Sequence, residues 1–256
     1  MAQPSPIPGG SELQVIGVDI GGSGVRMAVV DGGTGAIQGE VLRTGHGTTT
    51  PAEDVLLDMR RMLDSLPSHD AVGIGFPGVV AGTRIRTAPN LRSTWPGTDL
   101  AQALDLENIV LLNDADAAAL AEVEAGAGQG EQGTVLTLTI GTGIGTAVHR
   151  SGVLVPNLEL GHLLHPDGGT VESRVRGALL SGGDLSLDAW SKRLQSVLDL
   201  YEAWLDPDVI ILGGGITERW SEWGPELRSR ATVRRAHWGP NAGLIGAAIA
   251  AHQAFS

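Results

Sequence analysis

The stretch VDIGGSGVRM, residues 18–27, decides the fold of this chain. An apolar strand leads into Asp19, glycines follow at positions 21, 22 and 24, and VRMAVVD continues as a second strand. Because a strand follows the glycines, the pattern predicts a β-hairpin that turns at a glycine corner. A dinucleotide-binding turn needs a helix directly after its glycines, so that alternative fits poorly. A Walker loop needs a Gly-Lys-Ser or Gly-Lys-Thr run, which is missing after every glycine corner, so it is excluded.

The same layout occurs again further along the chain. TVLTLTIGTGIG, residues 134–145, is followed by TAVHRSGVLVP, which reads as the next strand, turn and strand. A third apolar strand, PDVIILGGGIT at residues 207–217, also runs into glycines. Strands that alternate with helical segments predict an α/β fold with mixed sheets and a duplicated plan.

Helical periodicity predicts the elements between these strands. Thr50-Pro51-Ala52-Glu53 has the spacing of a capping box, and an apolar stripe at helical period follows it. IVLLND reads as a short buried strand with an alanine-rich helix behind it. Longer helices are predicted at about 186–205 and 241–253, and the small residues of the last one predict close packing.

Composition bounds the class of protein. The 256 residues are 42% hydrophobic and 18% charged, as in an ordinary soluble globular protein, without an apolar run of roughly 20 residues that could span a bilayer. The net charge of −12 argues against binding to nucleic acid or to an anionic membrane. The absence of cysteine fits a reducing cytosol. Residues 1–11 are expected to be a disordered tail without a secretory signal, so we expect a cytoplasmic protein.

Two matched glycine corners can bind phosphate. Their backbone N–H groups line the turn, and glycine leaves no side chain to block an anion. Asp19, just before the first corner, is placed to hold a hydrated Mg²⁺ against those phosphates. The alternatives are that the glycines serve hairpin turns alone and that Asp19 is an ordinary surface or capping acid. The phosphate-binding candidates are Gly21, Gly22, Ser23, Gly24, Arg26, Thr142, Gly143, Gly214 and Gly215.

Several motifs then follow in a fixed order: DIGGSGVR, NDADAAALAE, GTGIG, PNLELGH, ILGGGI and NAGLIGAA. From about residue 15 to 251 this order resembles the sugar kinases of the ROK (repressor–ORF–kinase) family. Within that family, TAPNLRSTWPGTDL and GVLVPNLELGHL are similar to the polyphosphate glucokinase subgroup. The resemblance implies the duplicated actin/hexokinase (ribonuclease H-like) ATPase fold, two domains with a central cleft, and phosphorylation of glucose at its 6-hydroxyl.

The resemblance also implies how the chain divides and assembles. We expect an N-terminal α/β domain at residues 12–113 and a C-terminal α/β domain at residues 114–240. The helix at about 241–256 is expected to pack back on the first domain. A homodimer is the assembly that the family implies.

The resemblance places the family's general base at Asp114. This residue ends the strand IVLLND and precedes a helix, whose positive end favours an ionised carboxylate that can accept a proton. The alternative is that Asp114 merely caps the helix. Asp116 is equally suited to be that cap, which leaves Asp114 for catalysis.

The sugar ligands are implied by the resemblance too: Asn90, Asn113, Glu159, His162 and Glu172. A closed sugar site needs paired donors and acceptors, because polar groups left unpaired there are costly. Glu159 and His162 are three apart in ELGH and can converge from one turn. Other interpretations stay open: Asn90 as a turn residue, His162 as a satisfied buried histidine, and a shifted register at Glu172, since HPDGGTVESR differs in length from its relatives.

Two departures from the family bear on cofactors. Many ROK proteins hold a structural zinc with one histidine and three cysteines, and this chain has no cysteine, so no structural zinc is expected. Arg26 stands where the subgroup usually has lysine, and arginine can bind phosphate bidentately. Mg²⁺ is the expected cofactor.

The remaining hypotheses concern the phosphate donor and two classes of protein that are not enzymes. The subgroup likeness favours polyphosphate as donor, with ATP as an alternative or second donor. Arg84, Arg86 and Arg92 can form a polyphosphate-binding strip or be ordinary surface arginines. A ROK repressor is disfavoured because the first corner leaves no room for a DNA-binding domain before it and the chain is acidic. An inactive sugar sensor is disfavoured because Asp19, Asp114 and both glycine corners are present. The sequence does not distinguish glucose from mannose as the substrate.

Overall fold

The computed structural model describes residues 13–91 and 94–256, so the predicted tail lies outside the described residues. Two five-stranded sheets have the strand orders β3-β2-β1-β4-β7 and β10-β9-β8-β11-β12, and β5 and β6 form a separate small hairpin. The strands, in chain order, are β1 (Val15–Gly21), β2 (Gly24–Val30), β3 (Ile37–Gly45), β4 (Ala71–Phe76), β5 (Val80–Ala81), β6 (Arg84–Ile85), β7 (Ile109–Asn113), β8 (Thr134–Ile140), β9 (Ile144–Arg150), β10 (Val153–Val155), β11 (Val209–Gly213) and β12 (Thr232–Arg235).

The two sheets are built on the same hairpin. β1 and β2 are antiparallel, with Gly21 opposite Gly24, and β8 and β9 are antiparallel, with Ile140 opposite Ile144. The first strand of each hairpin then pairs in parallel with a later strand, β1 with β4 and β8 with β11. The predicted duplication of strand, glycine corner and strand is confirmed.

The helices follow the predicted periodicity. The first one buries Val55, Met59 and Leu63 against the outer face of the first sheet, and the nineteen-residue α6 buries Trp190 and Tyr201 against the second. The helices are α1 (Ala52–Ser65), α2 (Leu100–Leu104), α3 (Asp114–Ala125), α4 (Val171–Val175), α5 (Ala178–Ser181), α6 (Leu187–Leu205), α7 (Trp220–Trp223) and α8 (Ala242–Phe255).

The predicted capping box at the start of α1 is wrong. Pro51 is the N-cap, without a side-chain hydrogen bond to the helix. The Thr50 hydroxyl instead accepts a hydrogen bond from the Gly47 N–H at 3.0 Å, within the preceding turn. The first helical N–H, that of Ala52, is bound by the Thr94 hydroxyl at 3.1 Å. A distant loop therefore supplies the cap that the local sequence was expected to supply.

The last helix packs tightly, as its small residues predict. A Cβ at Gly17 on β1 or at Gly73 on β4 would overlap a carbonyl oxygen of α8. These two glycines therefore let the backbone of α8 lie directly on the first sheet. On its other side α8 packs against α3, where Gly246 meets the carbonyl of Ala117.

Helix α3 joins the two halves. It begins at the carboxyl end of β7 in the first sheet and packs against β9 of the second, with Ala115 lying on Gly145. Its first residue, Asp114, is thus held between the two sheets. The domain boundaries at 113/114 and 240/241 stay a prediction. In residues 13–91 and 94–256, no helix is long and apolar enough to cross a membrane.

Candidate active site

One cavity of about 600 Å³ brings the two glycine corners together. Residues 21–23 of the first corner, residues 141–145 of the second, and Gly214 all lie in its wall, and Asp114 lines it as well. The structure also places all five predicted sugar ligands in this wall: Asn90, Asn113, Glu159, His162 and Glu172. Groups suited to bind phosphate, to bind sugar and to accept a proton therefore share one cavity.

Four of the predicted residues lie outside this wall. Asp19, Arg26 and Gly215 line a neighbouring cavity of about 300 Å³, which shares Asp114 with the first. Gly24 lies at the start of β2 against the backbone of β3, where a side chain would not fit. Gly24 therefore allows the chain to turn at the first corner, whereas residues 21–23 face the cavity.

Asp114 is positioned by the residue before it. Asn113 is the N-cap of α3, and its Oδ1 accepts hydrogen bonds from the Ala115 N–H at 2.9 Å and the Asp116 N–H at 3.1 Å. The expectation that Asp116 caps the helix is wrong, because a cap must precede the first turn to reach these N–H groups. The Asn113 amide also donates to the Gly78 carbonyl at 3.3 Å, so much of its bonding capacity is already used by the protein.

The surroundings of Asp114 raise its pKa from 3.8 to about 7. Burial is the largest cause, and the negative charge of Asp19 is the next, with smaller contributions from Glu159 and Asp116. The Ala115 N–H at the helix terminus lowers the pKa, as predicted, but burial and the neighbouring acids outweigh it. A carboxyl group whose pKa lies near neutrality is well matched to proton transfer.

Asp116 has a structural role that the sequence interpretation missed. It is buried, and its Oδ2 accepts a hydrogen bond from the Asn157 N–H at 2.7 Å. The Asn157 side chain in turn bonds the Val80 N–H and carbonyl, at 3.1 and 3.3 Å. These contacts fix the segment that leads to Glu159, and burial together with Glu159 raises the pKa of Asp116 to about 6. Asn157 has a φ of 60°, a conformation that asparagine tolerates, which was the available sequence signal.

Glu159 is the N-cap of one short 3-10 turn and His162 is its last residue, so the two converge from one turn as their spacing predicts. Thr146 on β9 holds that turn: its hydroxyl donates to the Leu158 carbonyl at 2.6 Å and accepts from the Leu160 N–H at 3.0 Å. His162 is exposed to the cavity, so the alternative of a satisfied buried histidine is wrong.

The other two sugar candidates differ in how firmly they are held. Asn90 is exposed and lies in a turn, so it is both a turn residue and a cavity residue. Glu172 lies in the first turn of α4, and its Oε2 accepts a hydrogen bond from the Ile144 N–H at 3.2 Å. Its carboxylate also lies against Gly143, where an added Cβ would force the Glu172 side chain to move. Glu172 thus braces the second glycine corner.

Asp19 and Arg26 form an ion pair behind the first corner. They lie directly opposite each other on β1 and β2, and the Arg26 guanidinium also donates to the Pro240 carbonyl. Burial raises the pKa of Asp19, and the positive charge of Arg26 lowers it without fully compensating. Arg26 is therefore held by protein groups on two sides.

Two of the three arginines of the predicted strip, Arg84 and Arg86, do not line the cavity. Arg84 is exposed and pairs with Asp99 at 3.1 Å, and Arg86 is exposed on the same small hairpin region. Neither lines the cavity, and Arg92 lies outside the described residues. Arg176, which the sequence interpretation did not single out, does line it, and it is the one arginine or lysine among the described residues of the wall.

Comparisons with known proteins agree with this geometry. The family profile named ROK matches residues 15–170. The polyphosphate glucokinase of Mycobacterium tuberculosis (strain ATCC 25618 / H37Rv) is 35% identical over 238 residues, which cover 91% of this chain and 89% of that protein.

Solved structures extend the likeness to the fold. A polyphosphate/ATP-glucomannokinase from Arthrobacter sp. strain KM superposes with a TM-score of 0.85 at 36% identity, over 94% of this chain and 99% of that one. A ROK family glucokinase from Streptomyces griseus, in complex with glucose and AMPPNP, superposes with a TM-score of 0.73 at 27% identity, over 94% and 99%. The predicted actin/hexokinase-type α/β fold is confirmed, and the chain belongs to the ROK family.

Proposed function

We propose that this protein is a kinase that phosphorylates glucose at its 6-hydroxyl, with inorganic polyphosphate as the donor. The observation that carries the proposal is a single cavity in which two backbone glycine corners and Asp114 meet the five polar candidates for sugar binding. Similarity to the Mycobacterium and Arthrobacter proteins supports the donor and the sugar.

The chemistry asks for positioning, charge neutralisation and one proton acceptor. The 6-hydroxyl oxygen attacks the terminal phosphorus, the bond from that phosphorus to the remaining chain breaks, and the hydroxyl proton passes to Asp114. With a pKa of about 7, Asp114 is ionised in a substantial fraction of molecules at neutral pH and can accept this proton. The products are glucose 6-phosphate and a polyphosphate shorter by one phosphate.

The glycine corners act on the phosphates through their backbone. The N–H groups at residues 21–23 and those of Thr142 and Gly143 can hydrogen-bond phosphate oxygens from two sides, whereas the Gly141 N–H donates to the Gly143 carbonyl within the corner. Glu172 holds the second corner in place through the Ile144 N–H. We expect Glu159, His162, Asn90 and the remaining amide hydrogen of Asn113 to bind the sugar hydroxyls.

Mg²⁺ belongs to the proposal as the cofactor, held by Asp19 through water. The described residues contain no group of three or more His, Cys, Asp or Glu side chains arranged to hold a metal. The residues nonetheless fit Mg²⁺, because this ion commonly binds one or two carboxylates with water and substrate phosphates, and Asp19 lies close enough to raise the pKa of Asp114. When bound, the ion neutralises phosphate charge.

The test is an assay of the purified protein with glucose, Mg²⁺ and either polyphosphate or ATP, in which glucose 6-phosphate is measured. We expect product with polyphosphate, and product with ATP would add a second donor. Mannose in place of glucose tests a glucomannokinase. Measurable glucose binding without product from any donor would instead establish an inactive sugar sensor. The homodimer stays a prediction, which sedimentation equilibrium can test.

A further inference from the structure

The cavity wall contains one basic side chain that the mechanism above does not use. Arg176 follows the short helix α4 with extended backbone angles, φ −54° and ψ 140°, and its side chain is exposed. Among residues 13–91 and 94–256, its guanidinium has no hydrogen-bond or ion-pair partner. An unpaired arginine in a cavity wall is free to bind an anionic ligand.

The backbone holds Arg176 beside the second glycine corner. The N–H of the next residue, Gly177, donates to the Gly141 carbonyl at 2.8 Å, and a side chain at Gly177 would collide with that carbonyl. Arg176 is therefore one residue away from a fixed contact with the corner. A phosphate bound at Thr142 and Gly143 would lie next to it.

The acid nearest in sequence does not neutralise Arg176. Glu172 is four residues earlier, a spacing at which glutamate and arginine often pair on a helix. Here the Glu172 carboxylate accepts from the Ile144 N–H instead, and only the backbone N–H of Arg176 bonds Glu172, at its carbonyl. The guanidinium thus keeps its full hydrogen-bonding capacity.

The charge of the cavity gives this arginine its importance. Asp114, Glu159 and Glu172 line the wall, and Asp19 lies in the neighbouring cavity, so an anionic donor meets mostly negative side chains. Arg26, the predicted phosphate-binding arginine, is already held by Asp19 and the Pro240 carbonyl.

We propose that Arg176 binds a phosphate group of the donor beside the second glycine corner, and this inference rests on the proposed kinase function. A guanidinium can donate two parallel hydrogen bonds to a phosphate, which an ammonium group cannot reproduce. Because this contact is made to the donor and not to the sugar, its loss should act on the affinity for the donor before it acts on proton transfer to Asp114.

The test compares Arg176→Gln and Arg176→Lys with the wild type in steady-state assays. Loss of a charge-assisted hydrogen bond predicts a KM for polyphosphate raised about tenfold to a hundredfold in Arg176→Gln, with Arg176→Lys in between. The KM for glucose stays within about twofold, because no sugar contact changes. Arg235→Gln is the matched control: Arg235 is also exposed without a side-chain partner in the described residues, but it lies outside this cavity and keeps wild-type kinetics.

Three results would overturn the inference while leaving the kinase function intact: an unchanged donor KM in Arg176→Gln, a loss confined to the KM for glucose, or an equal loss in Arg235→Gln. If the wild type forms no product with either donor, the proposed function fails instead. Calorimetric titration with tripolyphosphate then tests Arg176 alone, and equal affinity in wild type and Arg176→Gln would contradict its role. Thermal unfolding of each variant confirms that it is folded.

Discussion

The two glycine-corner hairpins share a backbone plan but differ in the pair of residues behind each corner. In the first hairpin that pair is Asp19 opposite Arg26, two residues back from the closing pair Gly21 and Gly24. In the second, the corresponding positions hold Leu138 opposite Thr146. A partly buried ion pair in the first hairpin thus corresponds to an apolar residue and a hydroxyl in the second.

The difference shows how a duplicated fold divides its work. The first hairpin places charge behind its corner, where Asp19 raises the pKa of Asp114 and Arg26 ties β2 to the start of α8. The second hairpin uses Thr146 to hold the turn that presents Glu159. The two corners share a backbone plan, and the side chains behind them differ: a charged pair in the first half and, in the second, a hydroxyl that holds the turn before Glu159 and His162.

The largest effect is expected at Asp114, which lies between the two hairpins. Asp114→Asn removes the proposed proton acceptor, so turnover should fall by roughly two to four orders of magnitude. Because burial raises the pKa of Asp114, ionisation of this group opposes folding as pH rises from about 4 to about 7. Asp114→Asn should therefore melt at or above the wild-type temperature at pH 8. Turnover close to that of the wild type would show that Asp114 is not the general base.

Breaking the charged pair of the first hairpin comes next. Arg26→Gln leaves the buried Asp19 carboxylate without its cation. We expect the free energy of unfolding to fall by about 1–3 kcal/mol at pH 8. This loss is smaller than for a fully buried pair because Arg26 is partly exposed. The loss should shrink at acid pH, where Asp19 is protonated. Urea unfolding at both pH values measures it, and Asp19→Asn combined with Arg26→Gln should recover most of the stability. An equal loss at both pH values would contradict the ion-pair account.

Acidification tests the same charges in the wild type. The proposed mechanism requires Asp114 to be ionised, so kcat/KM for glucose should be at its maximum above pH 7 and fall about tenfold per pH unit below it. The residual activity of Asp114→Asn should show no such fall. A wild-type profile that is flat between pH 5.5 and 8 would show that no group with a pKa near 7 controls the reaction.

The smallest effect is expected in the second hairpin. Thr146→Val keeps the shape but removes both hydrogen bonds to the sugar-site turn, so the KM for glucose should rise about fivefold to tenfold with the donor KM unchanged. Thr137→Val is the matched control, because the Thr137 hydroxyl is buried on β8 without a partner among the described residues. If both variants raise the KM for glucose equally, Thr146 has no special role.

Much of the fold could be predicted because its signals are local. A strand on each side of a glycine corner is visible as period-2 apolar spacing, and the stripe of α6 is visible as helical spacing. The caps were predicted less well. Thr50 and Asp116 are good capping residues, yet their side chains bond Gly47 and Asn157 instead, and those contacts depend on neighbours that only the folded chain brings close.

The site divides in the same way. The glycine corners and the position of Asp114 could be predicted from the order of the residues and from the family resemblance. The charges of the site could not: the commitment of Arg26 to Asp19, the unpaired state of Arg176 and the raised pKa of Asp114 arise from burial and from elements distant in sequence. Arg26 was predicted as one of the phosphate ligands, and in the structure it is paired with Asp19; Arg176, which we propose for such a contact, was not singled out from the sequence.

A crystal structure with glucose and a slowly hydrolysed tripolyphosphate analogue tests the central claim most directly. The account predicts the terminal phosphate between residues 21–23 and 141–143, with the glucose 6-hydroxyl about 3 Å from the Asp114 carboxylate. Phosphate bound away from both glycine corners, or a sugar whose 6-hydroxyl points away from Asp114, would contradict it.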